Sequence, residues 1–338
     1  AAANRPILEA GAAILGMAFL VKAGMWPLGF WLPATYAAAS PPSAAIFSMM
    51  SKVGVYAVLR LSLLLFGDGA GASADFGEGW LLLGGIMTIG FGAVSVLATQ
   101  DLPRLAGASV LISSGTLLAA IGTGQVSVTG GGLYYLASSA LAVGALFLLI
   151  ELLERGRDLG ADVLAVTLEA FGDGEEEEDE AEEEVGVAIP ATMAILGACF
   201  LCCALLLAGL PPLSGFIAKF AMLSAALNPA GLAAPGAAIS AGSWGFLAAI
   251  ILSGLATLLA TTRAGIRNIW AAAGRAVPRV RVIEIAPVLF LLLLCVGMTV
   301  QAGPVLRYMQ AAAADLHAPQ AYMREVLAPA GARGEARP

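Results

Sequence analysis

Charged residues are scarce in this sequence. Only 12% of its 338 residues are Asp, Glu, Lys or Arg, and 59% are apolar, whereas about 25% of the residues of a soluble domain are charged. The mean hydropathy is +0.88, and apolar runs of about 20 residues, enough to cross a bilayer as a helix, recur along the chain. This composition excludes a large water-soluble enzyme and predicts an all-α, polytopic integral membrane protein.

Histidine and cysteine are also rare, and their positions do not suggest a metal site. The one histidine, His317, lies near the C-terminus, and the four cysteines lie inside apolar runs, at positions 199, 202, 203 and 295. No Cys/His set has the spacing of a zinc site. No basic stripe is interleaved with aromatic residues. We therefore expect no metal, no cofactor and no nucleic-acid partner.

The acidic residues are concentrated in one stretch. Residues 173–184 contain ten of the 24 acids, so that the rest of the chain is slightly basic although the whole carries a net charge of −7. Such a run cannot bury apolar area. We therefore predict a disordered, acidic cytoplasmic loop over 155–187.

Eight apolar segments are long enough to span a membrane. They cover 7–36, 42–66, 80–99, 102–122, 131–154, 188–227, 241–262 and 282–303. The first contains Pro27 and the sixth contains Pro211 and Pro212, and proline should break both helices within the membrane because it lacks the N–H donor. The chain thus divides into five segments over 1–154, the acidic loop, three segments over 188–303 and a tail over 304–338.

The arginines predict an orientation. The connections after the first, third, fifth and seventh segments contain eight of them, at positions 104, 155, 157, 263, 267, 275, 279 and 281, against Arg5, Arg60 and Arg307 near the membrane on the other side. Basic residues are enriched in cytoplasmic loops. We therefore place the first set in the cytoplasm of a bacterium, and both ends of the chain outside its plasma membrane. Because the sequence begins without Met, we expect it to be the C-terminal part of a longer protein.

The two broken segments resemble each other. Residues 23–30 (AGMWPLGF) match residues 208–216 (AGLPPLSGF) with one insertion. The segments are five apart, an odd number, so they should cross the membrane in opposite directions. Inverted repeats with breaks at matching places point to an ion or substrate site near the middle of the membrane. Two unrelated kinks are the alternative interpretation.

All three lysines, Lys22, Lys52 and Lys219, lie inside apolar segments, whereas the arginines lie at segment ends, in loops and in the tail. A lysine at the centre of a span costs about 2.5–3.5 kcal/mol on insertion scales and usually faces a polar cavity or partner. Desolvation disfavours the charged form of a buried amine, so a lysine can release and regain a proton, whereas arginine stays charged. The pattern predicts a proton relay; snorkelling of the side chains to the membrane surface is the alternative.

Several hydroxyl groups lie near these lysines or in the segments between them. They predict a hydrated path, although each could instead bond to a carbonyl of its own helix. The candidates are Ser48, Ser51, Ser113, Ser114, Ser138, Ser139 and Ser214.

Three stretches resemble a known family. They are residues 22–33 (KAGMWPLGFWLP), 51–60 (SKVGVYAVLR) and 209–220 (GLPPLSGFIAKF). Together they look like the proton-translocating, antiporter-like subunits that respiratory complex I shares with Mrp-type cation/proton antiporters, and most of all like the D-type subunits of the sodium/proton antiporters. The resemblance covers essentially residues 7–303.

The resemblance implies a fold of fourteen transmembrane helices with inverted five-helix repeats, of which the eight segments would be the last eight. It assigns Lys22 as a lysine paired with a glutamate, Lys52 as the central relay lysine and Lys219 as the terminal one. That glutamate would precede residue 1. Many complex I relatives have histidines where this chain has residues 46–48, 113–114 and 138–139, a difference that favours the antiporter and excludes a histidine relay.

The function so implied is that of a proton-translocating subunit of a multisubunit Na⁺/H⁺ antiporter, a secondary transporter and not an enzyme. Its partners would be the other subunits, Na⁺, H⁺ and the lipid bilayer. A proton-pumping membrane subunit of an NADH:quinone oxidoreductase or related hydrogenase is the alternative. A third hypothesis is a structural subunit with a vestigial channel, in which replacing the lysines would affect assembly only.

Overall fold

The structure, a computed structural model, describes residues 5–171, 191–229, 239–270 and 282–327. Within these ranges the chain is helical and contains no strand. A 3₁₀ helix (Asp68–Ser73) follows α3, and a π-helix (Ile266–Trp270) follows α9. The α-helices are α1 (Arg5–Ala23), α2 (Leu32–Ala38), α3 (Pro41–Phe66), α4 (Glu78–Ala98), α5 (Leu102–Ile121), α6 (Val126–Phe171), α7 (Ala191–Ala208), α8 (Ser214–Leu227), α9 (Ala241–Gly265), α10 (Val282–Val300), α11 (Ala302–His317) and α12 (Gln320–Leu327).

Seven helices in the described part of the chain are long and apolar enough to cross a membrane: α1, α3, α4, α5, α6 up to Glu154, α9 and α10. They confirm an all-helical, membrane-spanning protein. The predicted sixth segment is represented by two shorter apolar helices, α7 and α8, on either side of a turn at residues 209–213. An eighth span made of these two helices stays a prediction.

The start of the predicted acidic loop stays a prediction. Helix α6 does not end at Glu154, where the predicted fifth segment ends, but continues to Phe171. This stretch contains no proline, and extending an existing helix costs much less than nucleating a new one. The acidic run at 173–184 itself lies outside the described residues. The predicted tail is also helical where it is described, in α11 and α12.

Helix α5 forms the centre of the bundle and is buried along nearly its whole length. Glycines let α4 approach it closely. A Cβ atom on Gly92 would lie 2.8 Å from the Ile112 side chain, and one on Gly85 would overlap the backbone of Ala119. Small residues at helix contacts are typical of membrane proteins, where packing replaces the hydrophobic effect between helices.

The two ends of the bundle are held by different contacts. At one end, Arg263 of α9 donates to Leu97 O (2.7 Å) and Thr99 O (2.9 Å) at the end of α4, and Arg267 donates to Gln100. At the opposite end, α11 packs on α6, where Gln310 donates to Ser127 O at 3.0 Å. The C-terminal ends of α4 and α9 therefore lie together, while the side of the membrane that they face stays a prediction.

Candidate functional site

The helix is interrupted at the first predicted break. Helix α1 ends at Ala23, and Gly24 adopts a φ of +78°, a left-handed conformation that favours glycine. Met25 N then donates to Leu20 O at 3.0 Å, and Trp26 N donates to Thr88 Oγ1 of α4 at 2.8 Å. The chain resumes as helix at Leu32.

The second break has the same local geometry. Gly209 has a φ of +76°, and Leu210 N donates to Leu205 O at 3.0 Å. In both turns a glycine with a positive φ is followed by an amide that donates to the carbonyl five residues back. The peptide bond that precedes Pro27 and the one that precedes Pro212 are both cis. The turns therefore match in backbone as well as in sequence, while the inverted repeat of the surrounding helices stays a prediction.

Lys219 compensates for the two prolines of the second break. In a continuous helix the amides of residues 211 and 212 would donate to the carbonyls of Leu207 and Ala208, four residues back, but proline has no N–H. The Lys219 Nζ donates to both carbonyls instead, at 3.1 Å to Leu207 O and 2.9 Å to Ala208 O. The side chain is only 5% exposed. One ammonium thus caps the negative end of α7, where a cation is favourable.

Two glycines make room for this arrangement. A Cβ atom on Gly209 would lie 2.5 Å from Lys219 Cδ and 2.8 Å from its Nζ, and one on Gly254 of α9 would lie 2.9 Å from Ala208 O. Neither glycine was predicted to belong to the site. The pair of prolines is the sequence feature that could have indicated this site, because it leaves two adjacent carbonyls without backbone donors.

Lys52 is buried between α3 and α5. It is 3% exposed, and its Nζ donates to Ser113 Oγ, which in turn donates to Val110 O at 2.9 Å. The neighbouring Ser51 bonds to the Tyr36 hydroxyl at 2.7 Å. Tyr36, which sequence analysis did not single out, connects α2 to this cluster.

The predicted hydroxyls divide into four groups. Ser51 and Ser113 belong to the Lys52 cluster, and Ser138 and Ser214 bond to each other at 2.8 Å, joining α6 to the start of α8. Ser48 and Ser139 bond to carbonyls of their own helices, as the alternative interpretation expects. Ser114 Oγ is buried without a hydrogen-bond partner in the described structure. The contacts in the described ranges do not join these groups into one path.

Lys22 is placed differently from the other two lysines. It lies in the last turn of α1, and its side chain is exposed. Its Cγ lies 3.3 Å from the position of a Cβ on Gly54, two residues along α3 from Lys52. Among the described residues, no carboxylate is in ion-pair contact with either buried lysine, Lys52 or Lys219. Their partners are hydroxyl and carbonyl oxygens.

Comparisons with known proteins agree on one family. The family model described as "NADH:quinone oxidoreductase/Mrp antiporter, TM" matches residues 2–242. The chain is 59% identical over 325 residues to a D-type subunit of a probable K⁺/H⁺ antiporter of Rhizobium meliloti (strain 1021), covering 96% of this chain and 60% of that protein. It is 29% identical over 222 residues to the D-type subunit of the Na⁺/H⁺ antiporter of Alkalihalophilus pseudofirmus, covering 65% of this chain and 40% of that protein.

A solved structure has the same fold. A chain of the Mrp complex from Dietzia sp. DQ12-45-1b superposes with a TM-score of 0.71 at 20% sequence identity, covering 94% of this chain and 61% of that one. The chain therefore spans about three fifths of the length of the Rhizobium protein and of the Dietzia chain.

Proposed function

The chain belongs to the NADH:quinone oxidoreductase/Mrp antiporter transmembrane family, and we propose that it is the proton-translocating part of a subunit of a multisubunit monovalent cation/proton antiporter. It would act as a secondary transporter subunit in a bacterial plasma membrane, together with other membrane subunits. The C-terminal ends of α4 and α9 would face the cytoplasm.

The observation that carries this proposal is the pair of buried lysines with uncharged partners. Lys52 bonds to a hydroxyl and Lys219 to two carbonyls. Neither has a fixed negative charge in contact that would hold the proton on the nitrogen, and lysine, unlike arginine, can be deprotonated. Lys219 also lies at a helix break, where transporters commonly bind ions. Lys22, in the last turn of α1, would complete the relay.

We propose K⁺ as the transported cation, in place of the Na⁺ expected from sequence. The relative with 59% identity is named as part of a K⁺/H⁺ antiporter, whereas the Na⁺/H⁺ relative is 29% identical. Both ions therefore belong in the assay.

A proton-pumping subunit of an NADH:quinone oxidoreductase is the second candidate, because the family model includes such proteins. Serines at 113–114 and 138–139, where many complex I relatives have histidine, favour the antiporter. Purification of the native complex separates the two candidates, since iron–sulfur clusters and flavin in it would contradict the antiporter proposal.

The direct test uses inverted membrane vesicles that contain the complete complex. We expect KCl, or NaCl, to dissipate an imposed pH gradient, as followed by a pH-sensitive dye. Lys52→Gln and Lys219→Gln keep an N–H donor but cannot exchange the proton, so we expect each to abolish cation-dependent dissipation.

Assembly has to be measured in the same membranes. Lysine variants that assemble normally and still exchange cations at the wild-type rate would rule out the relay. Variants that lose activity only in proportion to lost complex would instead support a purely structural role for the chain.

A further inference from the structure

The only histidine of the sequence is brought by the fold into contact with α6. His317 ends α11, and its Nε2 lies 3.0 Å from Thr129 Oγ1. The Thr129 hydroxyl also donates to Gln125 O at 3.1 Å, so its oxygen can accept a hydrogen from Nε2 when the ring carries one there. We propose that His317 is a proton-transfer residue at the mouth of a passage to Lys52, an inference that rests on the proposed antiport function.

His317 stands between an open vestibule and a smaller cavity. The vestibule has a volume of about 570 Å³ and is lined by residues at the end of α3, by the 3₁₀ helix and by His317 and Gln320. The smaller cavity, of about 40 Å³, is lined by His317, Asp75 and Glu78 among others. This is room for a few water molecules. A proton carrier at this position can exchange with the vestibule on one side and with the cavity on the other.

A third cavity lies beside Thr129, on the side of Lys52. Its volume is about 10 Å³, and apart from Thr129 and Tyr56 its lining is apolar, with Val55, Leu59 and Leu117 among the side chains. Because a stable water needs two to four polar partners, water would enter this cavity only transiently, to pass a proton on. Val55 follows Lys52 by three residues on α3, and Leu117 follows Ser113 by four on α5, so each lies on the same helix face one turn away. The third cavity thus lies between the Thr129–His317 contact and the Lys52–Ser113 contact.

The charges around His317 suit a proton-collecting mouth. Asp75, in the turn before α4, and Glu78, at its first residue, face the same cavity. Arg60 of α3 is directed at the Tyr322 ring, 4.6 Å from its centroid, and Asp315 precedes His317 by two residues on α11. The stretches of α5 and α6 that line the passage contain no charged residue. A histidine titrates near neutral pH, and carboxylates beside it can supply or accept protons.

The test uses the complete complex in inverted vesicles, with uptake of radioactive rubidium or sodium driven by an imposed pH gradient. His317→Gln keeps an N–H donor for Thr129 but cannot carry a proton. Gln310→Leu is the matched control, because it removes another hydrogen bond between α11 and α6 without removing a titratable group. Each is assayed with a membrane-impermeant buffer at low and at high concentration on both sides, since a concentrated buffer can replace a missing surface proton carrier.

We expect His317→Gln to slow uptake at low buffer by at least about tenfold, below the typical contribution of a positioned proton-transfer group. High buffer should restore the rate to within about twofold, and Gln310→Leu should stay within about twofold of wild type in both buffers. Three results would each overturn this inference and leave the proposed function standing. They are a wild-type rate for His317→Gln, an equal loss of rate in Gln310→Leu, and no restoration of the rate by high buffer. A wild-type complex without cation-dependent proton movement would overturn the proposed function, and this inference with it.

Discussion

Replacing Gly209 by alanine is a sharp test of how the second helix break holds its lysine. The new Cβ atom would lie 2.5 Å from Lys219 Cδ, 2.8 Å from Nζ and 2.9 Å from Cε, closer than nonbonded atoms can approach. The backbone of Gly209 is fixed by the turn, so the lysine is the part that moves. We expect it to leave Leu207 O and Ala208 O.

The cost has two parts. Alanine at a left-handed φ of +76° costs about 1–2 kcal/mol. Each buried carbonyl that loses its donor costs a further ~1–3 kcal/mol, and proline at 211 and 212 leaves no backbone amide to take the place of the ammonium. Gly209→Ala should therefore destabilise the protein by several times the backbone term alone, and it should slow cation-dependent proton movement because the relay lysine is displaced.

Gly77→Ala is the control for the backbone term. Gly77 also has a left-handed backbone, with a φ of +91°, but a Cβ there would meet nothing within 4 Å. We expect Gly77→Ala to lose only the left-handed term and to keep the wild-type transport rate. The measurements are the thermal unfolding of the purified complex and the antiport rate in vesicles.

A double-mutant cycle isolates the contact itself. Once Lys219→Ala has already freed the two carbonyls, adding Gly209→Ala should cost only the backbone term. The coupling energy then equals the cost of the two carbonyls, about 2–6 kcal/mol, which reaches or exceeds the upper end of the ~0.5–3 kcal/mol seen for residues in contact. Equal costs of Gly209→Ala with and without Lys219, or a stability equal to that of Gly77→Ala, would refute the reasoning.

Three further variants test other parts of the structure. Ser113→Ala removes the acceptor of the buried Lys52 Nζ; we expect slower antiport with normal assembly, and an unchanged rate would show that Lys52 does not depend on this hydroxyl. Arg263→Ala removes a cap of the last carbonyls of α4, which should lower the free energy of unfolding by about 0.3–1 kcal/mol, measured by thermal unfolding. Gly85→Ala inserts a methyl group where α4 meets α5 and should cost about 1–3 kcal/mol, while Gly90→Ala, with open space around it, should be neutral or stabilising.

Much of the site was predictable because the membrane makes polar groups conspicuous. A lysine inside an apolar run is expensive, so Lys52 and Lys219 stood out, and the structure buries both. Proline marked the positions where the helices are interrupted. The sequence did not show where α6 ends, because a charge run can end a membrane span without ending the helix. Gly209, Tyr36 and His317 were missed because glycine, tyrosine and a terminal histidine carry no special signal in the sequence.

The sequence by itself therefore determined the helical membrane architecture and which cations lie within the apolar segments, because both follow from local composition and the cost of burying charge. Only the tertiary structure decided what those cations bond to. It brought Lys219 back onto two carbonyls eleven and twelve residues earlier, joined Lys52 to Ser113 across 61 positions, and joined His317 to Thr129 across 188. Such partners are chosen by how helices pack side by side, and packing is set by the whole bundle and not by any one segment.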